Sequence, residues 1–577
     1  MLGLFVVLVV PAFALGLLFG AGPAAIVGAF AGLFSFIGVA GGPLWSDLRA
    51  LAASSPVLLV AACGPRLLAE WSRPAAFALI LALVLIAGLL PLRRPGLTTL
   101  GLGLGLLTLI SYGLPIGGGI PALQLVVATV AGLVVAALFR CVTGLRDPHG
   151  PARAKVAGLL DEPEPSVAGA VDLWLRDGRP TWLAAVITAA VRTRLAVATA
   201  DATVRRLPVE DRAAGDRAVE AVRERARSLA AAVRAKRPSD EPPGRATPVP
   251  ELEDPLRTAD DALDRVAELV VRRDATPLAD DDRAHHGLRA ALASTDAWRS
   301  TQVRHALRTT LGVLLVLLVS LTLRPGDPLL PTLLMTTFSI LQTSWGATLA
   351  RARPKILGLL AGAAVAVAII LVLPPATLLP IALVALVLGL ATITSRPTLG
   401  SAAMVCVSVG FSSSLRGLDP VAVLVEYGIL MVVAVLVSVV VAFAVVPSRR
   451  RPDLRRRLEA AVAATVTALD ALAEDAPDRT RVASAWRDAA RARRDLVGEH
   501  DRLTDHQTEQ LERVRLGLDD LALLATVTRT GPDDGSVPLI EARTRLLVDA
   551  PDAPSGVLSA LADEVRTERR ALESACP

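Results

Sequence analysis

Three long stretches without a single charged side chain limit what this chain can fold into. They are residues 1–46, 95–139 and 356–395. A helix that crosses the hydrocarbon core of a bilayer needs about 20 apolar residues, so each stretch has room for two crossings. Backbone polar groups in that core must be bonded internally, which favours helices. The sequence therefore predicts an all-α integral membrane protein whose first partner is the lipid bilayer.

The hydrophobic segments occur in two sets of six, offset by about 300 residues. The predicted crossings are 3–20, 23–40, 49–63, 75–92, 97–113 and 121–141, followed by 305–324, 328–346, 355–373, 377–394, 397–414 and 420–446. Prolines punctuate both sets alike, since Pro121 and Pro420 each open a sixth segment. This spacing predicts about twelve transmembrane helices in two related six-helix bundles, an internal repeat of the kind found in transporters.

Each predicted bundle is followed by a charged, alanine-rich region. We predict a first bundle at 1–146, a helical domain at 147–300 with a linker at about 237–255, a second bundle at 301–448 and a second helical domain at 449–577. One apolar stripe at helical spacing marks the last of these, formed by Leu454, Leu458, Val462, Val466, Leu469 and Leu472. Leu263, Val266, Leu269 and Val270 repeat the pattern in the earlier region.

Basic residues near the segment ends predict the orientation. They concentrate on the side that carries the N-terminus and both charged regions, which is the cytoplasmic side by the positive-inside rule. Only three of the basic residues are lysines, Lys155, Lys236 and Lys355, and this arginine-rich composition is typical of a GC-rich bacterial genome. We therefore expect a multi-pass protein of a bacterial plasma membrane with cytoplasmic charged domains.

Several function classes find no support in the sequence. A net charge of +5 does not point to nucleic acid, and the four scattered cysteines form no CxxC or zinc-binding spacing. Phosphate-binding loops and the GxSxG and HExxH motifs do not occur, which argues against direct ATP drive and against an enzyme. We expect neither a metal nor a cofactor.

The predicted crossings contain a few polar residues that suit a transport pathway. Thr336, Ser339, Gln342 and Thr343 either line such a pathway or join helices through hydroxyl hydrogen bonds. Glu426, the only acid within a predicted crossing, either couples transport to protons or reaches the headgroup zone.

A basic cluster and a glycine pair follow the same polar segment. Arg351, Arg353 and Lys355 either attract anions to one mouth of the pathway or anchor a helix end. Gly358 and Gly362 form a GxxxG pattern that predicts close helix packing.

The second half resembles the fusaric acid resistance (FUSC-like) family of inner-membrane proteins, which includes aromatic-acid exporters. The resemblance lies in the stretch from His305-Ala306-Leu307-Arg308 through Thr336 to Leu349 and on to Lys355 and Gly358-Leu359-Leu360-Ala361-Gly362. The first half lacks a counterpart of the opening His305 to Arg308. The resemblance implies efflux of small aromatic or amphipathic organic anions, driven by the proton motive force or by the substrate gradient.

Plant malate channels share a related half as a single copy, so a gated organic-anion channel is an alternative. A non-transporting membrane scaffold with partner-binding cytoplasmic domains is another. The chain also suits a homo-oligomer.

Overall fold

A computed structural model gives the fold of this protein. It describes residues 2–93, 97–114, 119–162, 167–178, 180–204, 208–236, 253–276, 301–323, 327, 329–341, 345–374, 377–392, 395–441, 454–474, 479–496, 503–530, 536–547 and 557–575. These residues are almost entirely helical, and no strand occurs among them. The all-α class predicted from the hydrophobic runs is confirmed.

The chain divides into two compact units, and each unit draws on both halves of the sequence. The membrane unit comprises Met1–Ala40, Asp47–Thr143 and Asp296–Arg449. The charged unit comprises Gly41–Ser46, Gly144–Thr295 and Arg450–Pro577. The two predicted bundles thus fall almost wholly in one unit, and the two predicted helical domains in the other.

Twelve α-helices make up the described part of the membrane unit. In the first half they are α1 (Leu2–Leu18), α2 (Ala25–Val39, preceded by a 3₁₀ turn at Gly22–Ala24), α3 (Leu44–Trp71), α4 (Arg73–Arg93), α5 (Thr98–Gly113) and α6 (Ala122–Gly144). Five described helices of the charged unit follow α6 in the chain. In the second half the membrane helices are α12 (Thr301–Ser320), α13 (Leu330–Ile340), α14 (Trp345–Val372), α15 (Leu378–Thr392), α16 (Pro397–Arg416) and α17 (Pro420–Val440).

Among the residues that the structure describes, seven helical segments are long and apolar enough to cross a membrane. They are Gly22–Val39, Leu44–Trp71, Arg73–Pro91, Ala122–Gly144, Gln302–Ser320, Arg351–Val372 and Pro420–Val440. Shorter apolar helices occur at Val6–Leu18, Thr98–Gly113, Leu330–Ile340 and Leu378–Gly389. The chain is therefore a multi-pass membrane protein, and the figure of twelve crossings stays a prediction.

Two predicted segment boundaries are wrong. The segment predicted at 328–346 ends as α13 at Ile340, and α14 already begins at Trp345, ten residues before the segment predicted at 355–373. Likewise, the weak segment predicted at 49–63 is part of the 28-residue α3. Hydropathy falls where charged residues begin, but the backbone keeps its helical hydrogen bonds through them, so both helices extend beyond their apolar cores.

Glycines set the close crossing of α2 and α6 in the first half. A Cβ atom at Gly132 would overlap the carbonyl oxygen of Gly28, and one at Gly32 would lie 2.8 Å from the carbonyl oxygen of Gly132. Only residues without a side chain allow two helix backbones to approach this closely, as in GxxxG-type membrane helix pairs. Residues 28–32 read Gly-Ala-Phe-Ala-Gly, so Gly28 and Gly32 have the GxxxG spacing and share one helical face.

Helix α5 joins the two halves of the membrane unit. A Cβ at Gly105 would lie 2.5 Å from the ring of Phe338 in α13, and one at Gly113 would lie 2.9 Å from Pro331. Since the later α5 residue meets the earlier α13 residue, these two helices run antiparallel. Phe77, Ile80 and Val84 of α4 share a second buried core with Val313, Val316 and Leu317 of α12.

The charged unit is a helical assembly with a large hydrophobic core. Its helices are α7 (Gly150–Asp161), α8 (Val167–Arg176), α9 (Thr181–Val204), α10 (Val209–Arg234), α11 (Glu253–Arg272), α18 (Leu454–Ala473), α19 (Arg479–Arg494), α20 (Asp505–Thr530), α21 (Ser536–Leu547) and α22 (Val557–Ala575). Side chains from both charged regions of the sequence contribute to the core, among them Ile187 and Val266 from the first and Leu469 and Leu518 from the second.

The apolar stripe predicted in the last region is confirmed, since its six members are buried along α18. The predicted linker at 237–255 lies mostly outside the described residues, and its last three residues already belong to α11. A proline is tolerated there because the first turn of a helix has no intrahelical partner for that backbone N–H.

Candidate functional site

Helix α13 is short and carries the predicted hydroxyl residues. Thr336 is buried, and its hydroxyl lies 3.5 Å from the sulfur of Met431 in α17. The Ser339 hydroxyl donates to the backbone carbonyl of Thr336 at 3.0 Å. Gln342 and Thr343, predicted to continue this polar face, lie outside the described residues. Two of the four predicted hydroxyl and amide residues are therefore on α13, one contacting another helix and one bonded to its own.

Thr337 is the residue of this helix that the sequence did not single out as lining a pathway. It is fully buried, and its hydroxyl has no hydrogen-bond partner within the described part of the chain. The methyl group of Thr337 lies 3.5 Å from where a Cβ of Gly312 would stand, so α13 and α12 are in contact here. A buried hydroxyl without a partner is uncommon and calls for a water, an ion or a ligand.

Helix α12 brings a second such hydroxyl and a buried positive charge. Thr309 is 4% exposed, and its hydroxyl also lacks a partner among the described residues. Its neighbour Thr310 donates to the carbonyl of Ala306 at 2.8 Å instead. Arg308 precedes Thr309 and is 7% exposed. The α12 and α13 pair thus offers two buried hydroxyl donors and a buried guanidinium.

The predicted basic cluster is divided by the helix that carries it. Arg351, Arg353 and Lys355 lie within α14, and an α-helix turns about 100° per residue. Arg351 and Lys355 therefore share one side of α14, and Arg353 points to the other side. Arg351 lies one helical turn before Lys355, and its positive charge acts on that of Lys355.

Gly358 and Gly362 identify the side of α14 to which Lys355 belongs. A Cβ at Gly358 would lie 2.7 Å from the carbonyl oxygen of Thr398, and one at Gly362 would lie 2.5 Å from that of Ala402. Both glycines therefore lie against α16, in the close packing that a GxxxG pattern allows. Because Lys355 is three residues before Gly358, it shares this packed side and is only partly exposed.

Glu426 lies on the outer surface of α17. It is exposed, and its helix also exposes Val425, Ile429, Val432 and Leu436 at more than half of their area. The helix begins at Pro420, where the Asp419 carboxylate accepts hydrogen bonds from Val421 and Ala422. Glu426 is thus about 9 Å along α17 from its start.

Part of the membrane unit matches the model of a known protein family. Residues 314–445 match a family model described as fusaric acid resistance protein-like. The second half of the membrane unit is a FUSC-like region. The resemblance predicted from the sequence is confirmed, although the match covers less than a quarter of the 577 residues. Comparisons with curated proteins and with solved structures found no match.

The FUSC-like region, residues 314–445, associates the chain with membrane transport or efflux. It contains α13 to α17 and the second part of α12, and therefore Thr337, Lys355 and Glu426. Thr309 and Arg308 lie just before it.

A buried ion pair in the first half was missed in the sequence. Asp47 in α3 is fully buried, and its carboxylate accepts a hydrogen bond from the Arg140 Nε in α6 at 2.9 Å. Asp47 lies before the segment predicted at 49–63 but within α3, so Glu426 is not the only acid on the candidate membrane helices of the structure. Arg140 lies near the end of the segment predicted at 121–141, and its side chain is 8% exposed and paired.

Asp520 in α20 of the charged unit has a pKa near neutrality. Burial is the main cause that raises its pKa to about 7; Arg194 acts in the opposite direction, and Asp519 and Glu564 add to the rise. Arg194 belongs to α9 and Glu564 to α22, so these charges come from both charged regions of the sequence. Asp519 also accepts a hydrogen bond from the Arg493 Nε at 2.6 Å.

Proposed function

We propose that this protein exports small organic anions across a membrane, with the FUSC-like region as the transporting part. The observation that carries the proposal is that the buried hydroxyls of Thr309 and Thr337 have no hydrogen-bond partner among the described residues, with the buried Arg308 next to Thr309 in the chain. The family match supports the general role in transport.

The chemistry of these groups suits a carboxylate. A hydroxyl buried without a partner costs roughly 1–3 kcal/mol, and a bound carboxylate oxygen removes that cost by accepting its hydrogen bond. A guanidinium adds charge-assisted hydrogen bonds. Aromatic or amphipathic carboxylates would fit, because their apolar part can lie among the surrounding aliphatic side chains.

Arg351 and Lys355 would raise the local concentration of anions at one end of α14 by long-range attraction. Arg353 lies on another side of α14, so this role falls to Arg351 and Lys355 alone. Thr336 and Ser339 would support the route through α13, and Gln342 and Thr343 would continue it.

The energy source in this proposal is the proton motive force or the substrate gradient, since the sequence contains no phosphate-binding loop. Glu426 is the candidate for proton coupling. Its exposed position on α17 suits a group that exchanges protons near one membrane boundary.

The test measures accumulation of labelled aromatic carboxylates in cells with and without the protein, before and after an uncoupler collapses the proton gradient. Expression should lower accumulation, and the effect should disappear with the uncoupler if protons drive export. Accumulation unchanged across a broad panel of organic anions would refute the proposal. Currents at rates beyond those of a carrier would instead favour the channel alternative.

Matched variants test the site itself. Thr309→Val and Thr337→Val each replace an unpartnered hydroxyl by a methyl group and should reduce transport about 10-fold or more, the loss expected for a hydrogen bond to a charged group. Thr310→Val is the control, because that hydroxyl is already bonded to Ala306. Transport at the wild-type rate by all three variants would exclude the Thr309 and Thr337 hydroxyls from the route, whatever the function of the protein.

A further inference from the structure

Helix α14 is the most peripheral of the seven candidate membrane spans. Only 17% of its apolar window is buried within the protein, against 33% or more for each of the others. Two of its buried positions, Gly358 and Gly362, fall on the side that faces α16. The opposite side is therefore available to the surrounding bilayer.

That opposite side carries a continuous apolar stripe. Leu357, Leu360, Val367 and Leu371 are exposed by 58%, 63%, 44% and 79%. They recur at three-, four- and seven-residue steps, which places them on one face of the helix. Arg353 is exposed too and lies one turn before Leu357 on the same face.

The position of Arg353 along the helix matches a membrane boundary. The apolar span Arg351–Val372 has 22 residues and is about 33 Å long, close to the thickness of about 30 Å of a hydrocarbon core. Arg353 is two residues from the start of this span. A guanidinium there can extend to the headgroup layer while its methylene groups cover apolar surface.

We propose that Arg353 and the exposed stripe below it form a binding site for an anionic phospholipid of the surrounding bilayer. The guanidinium holds the headgroup phosphate with two hydrogen bonds, and the acyl chains lie along Leu357, Leu360 and Val367. Arg351 and Lys355 do not take part, because each is two residues from Arg353, about 160° around α14, and points away from this stripe. The proposal is independent of the transport proposal.

Native mass spectrometry of the purified full-length protein tests this site. The protein is titrated with phosphatidylglycerol and, separately, with phosphatidylcholine of the same acyl chains. We expect a preference for phosphatidylglycerol that Arg353→Ala weakens about five-fold, the effect of one basic residue at a membrane surface. Arg353→Lys should give an intermediate preference, since the charge remains but the two parallel hydrogen bonds of the guanidinium are lost.

Arg351→Ala is the matched control, because it removes the same charge two residues away on the other side of α14. It should leave the preference unchanged. Equal losses in Arg351→Ala and Arg353→Ala would overturn the proposal, since general surface charge would then explain binding. If Arg353→Ala does not insert into the membrane, Arg353→Gln and Arg353→Lys are compared instead.

Two further arms separate the other occupants of this face. Glycerol 3-phosphate offers the headgroup phosphate without acyl chains, and competition by it at equal concentration would mean a site for free phosphate rather than lipid. Efficient cross-linking between copies of a Leu360→Cys variant in membranes would mean that a second copy covers the stripe. Either result would overturn the lipid site.

Discussion

Removing Arg140 should destabilise the membrane unit far more than removing an exposed arginine. The Arg140 Nε lies 2.9 Å from a carboxylate oxygen of Asp47, and the two side chains are 8% and 0% exposed. In Arg140→Gln the Asp47 carboxylate would stay buried without its counter-charge. Breaking a buried pair in this way costs about 3–5 kcal/mol, because the remaining ion has lost both its partner and its water.

The same reasoning predicts what a double variant does. Asp47→Asn combined with Arg140→Gln removes both charges and leaves two neutral groups that can bond to each other. Replacing a whole buried pair is often close to neutral, so the double variant should regain most of the stability lost in Arg140→Gln. The gain on adding the second substitution is the signature of a direct pair.

The assay is the apparent midpoint of thermal unfolding of the detergent-solubilised, full-length protein. Arg455→Gln is the matched control, because Arg455 pairs with Glu459 at 3.2 Å while 71% exposed, and such pairs contribute about 0–1 kcal/mol. Midpoints of Arg140→Gln and Arg455→Gln that fall equally close to the wild type would refute the reasoning. So would a double variant that is less stable than either single one.

Two further predictions concern the helix crossing and the charged unit. Gly132→Leu should prevent the close approach of α6 to Gly28 and lower the yield of monodisperse protein in size-exclusion chromatography. Gly428→Leu is the control and should not lower the yield, because a Cβ at Gly428 would meet nothing within 4 Å. Similar yields of the two variants would contradict this packing. Asp520 has a pKa of about 7 in the folded protein against 3.8 as its ordinary value, so the folded state holds the extra proton and stability should fall as pH rises between these values. Asp520→Asn should remove that fall, so its unfolding midpoint should gain more over that of the wild type at pH 8 than at pH 5. Identical pH profiles for variant and wild type would contradict this prediction.

The class of the protein and the order of its membrane helices could be read from the sequence. A charge-free run of 40 residues or more has few alternatives to membrane helices, because only they satisfy the backbone in an apolar medium. The α18 stripe was equally readable, since burial of one helical face imposes a three- and four-residue spacing on apolar side chains. Both signals are local, so they survive in the linear order of residues.

Helix ends and helix faces required the structure. The helix in the segment predicted at 328–346 ends at Ile340. Hydropathy could not predict this end, because it does not change at a helix break within an apolar stretch. Arg351, Arg353 and Lys355 look like one cluster in the sequence, yet only the early start of α14 at Trp345 makes that stretch helical and turns Arg353 away from the other two. Adjacency in sequence is thus a poor guide to adjacency on a helix.

The sequence by itself determined that this chain is a helical membrane protein with charged helical regions and a FUSC-like region within its second half. Tertiary structure alone decided that Asp47 meets Arg140, 93 residues later, and that Thr309 and Thr337 are buried on neighbouring helices. The physical reason is one of range. Hydropathy and helical periodicity follow from neighbouring residues, whereas a buried charge or hydroxyl acquires its partner from whichever helix packs against it.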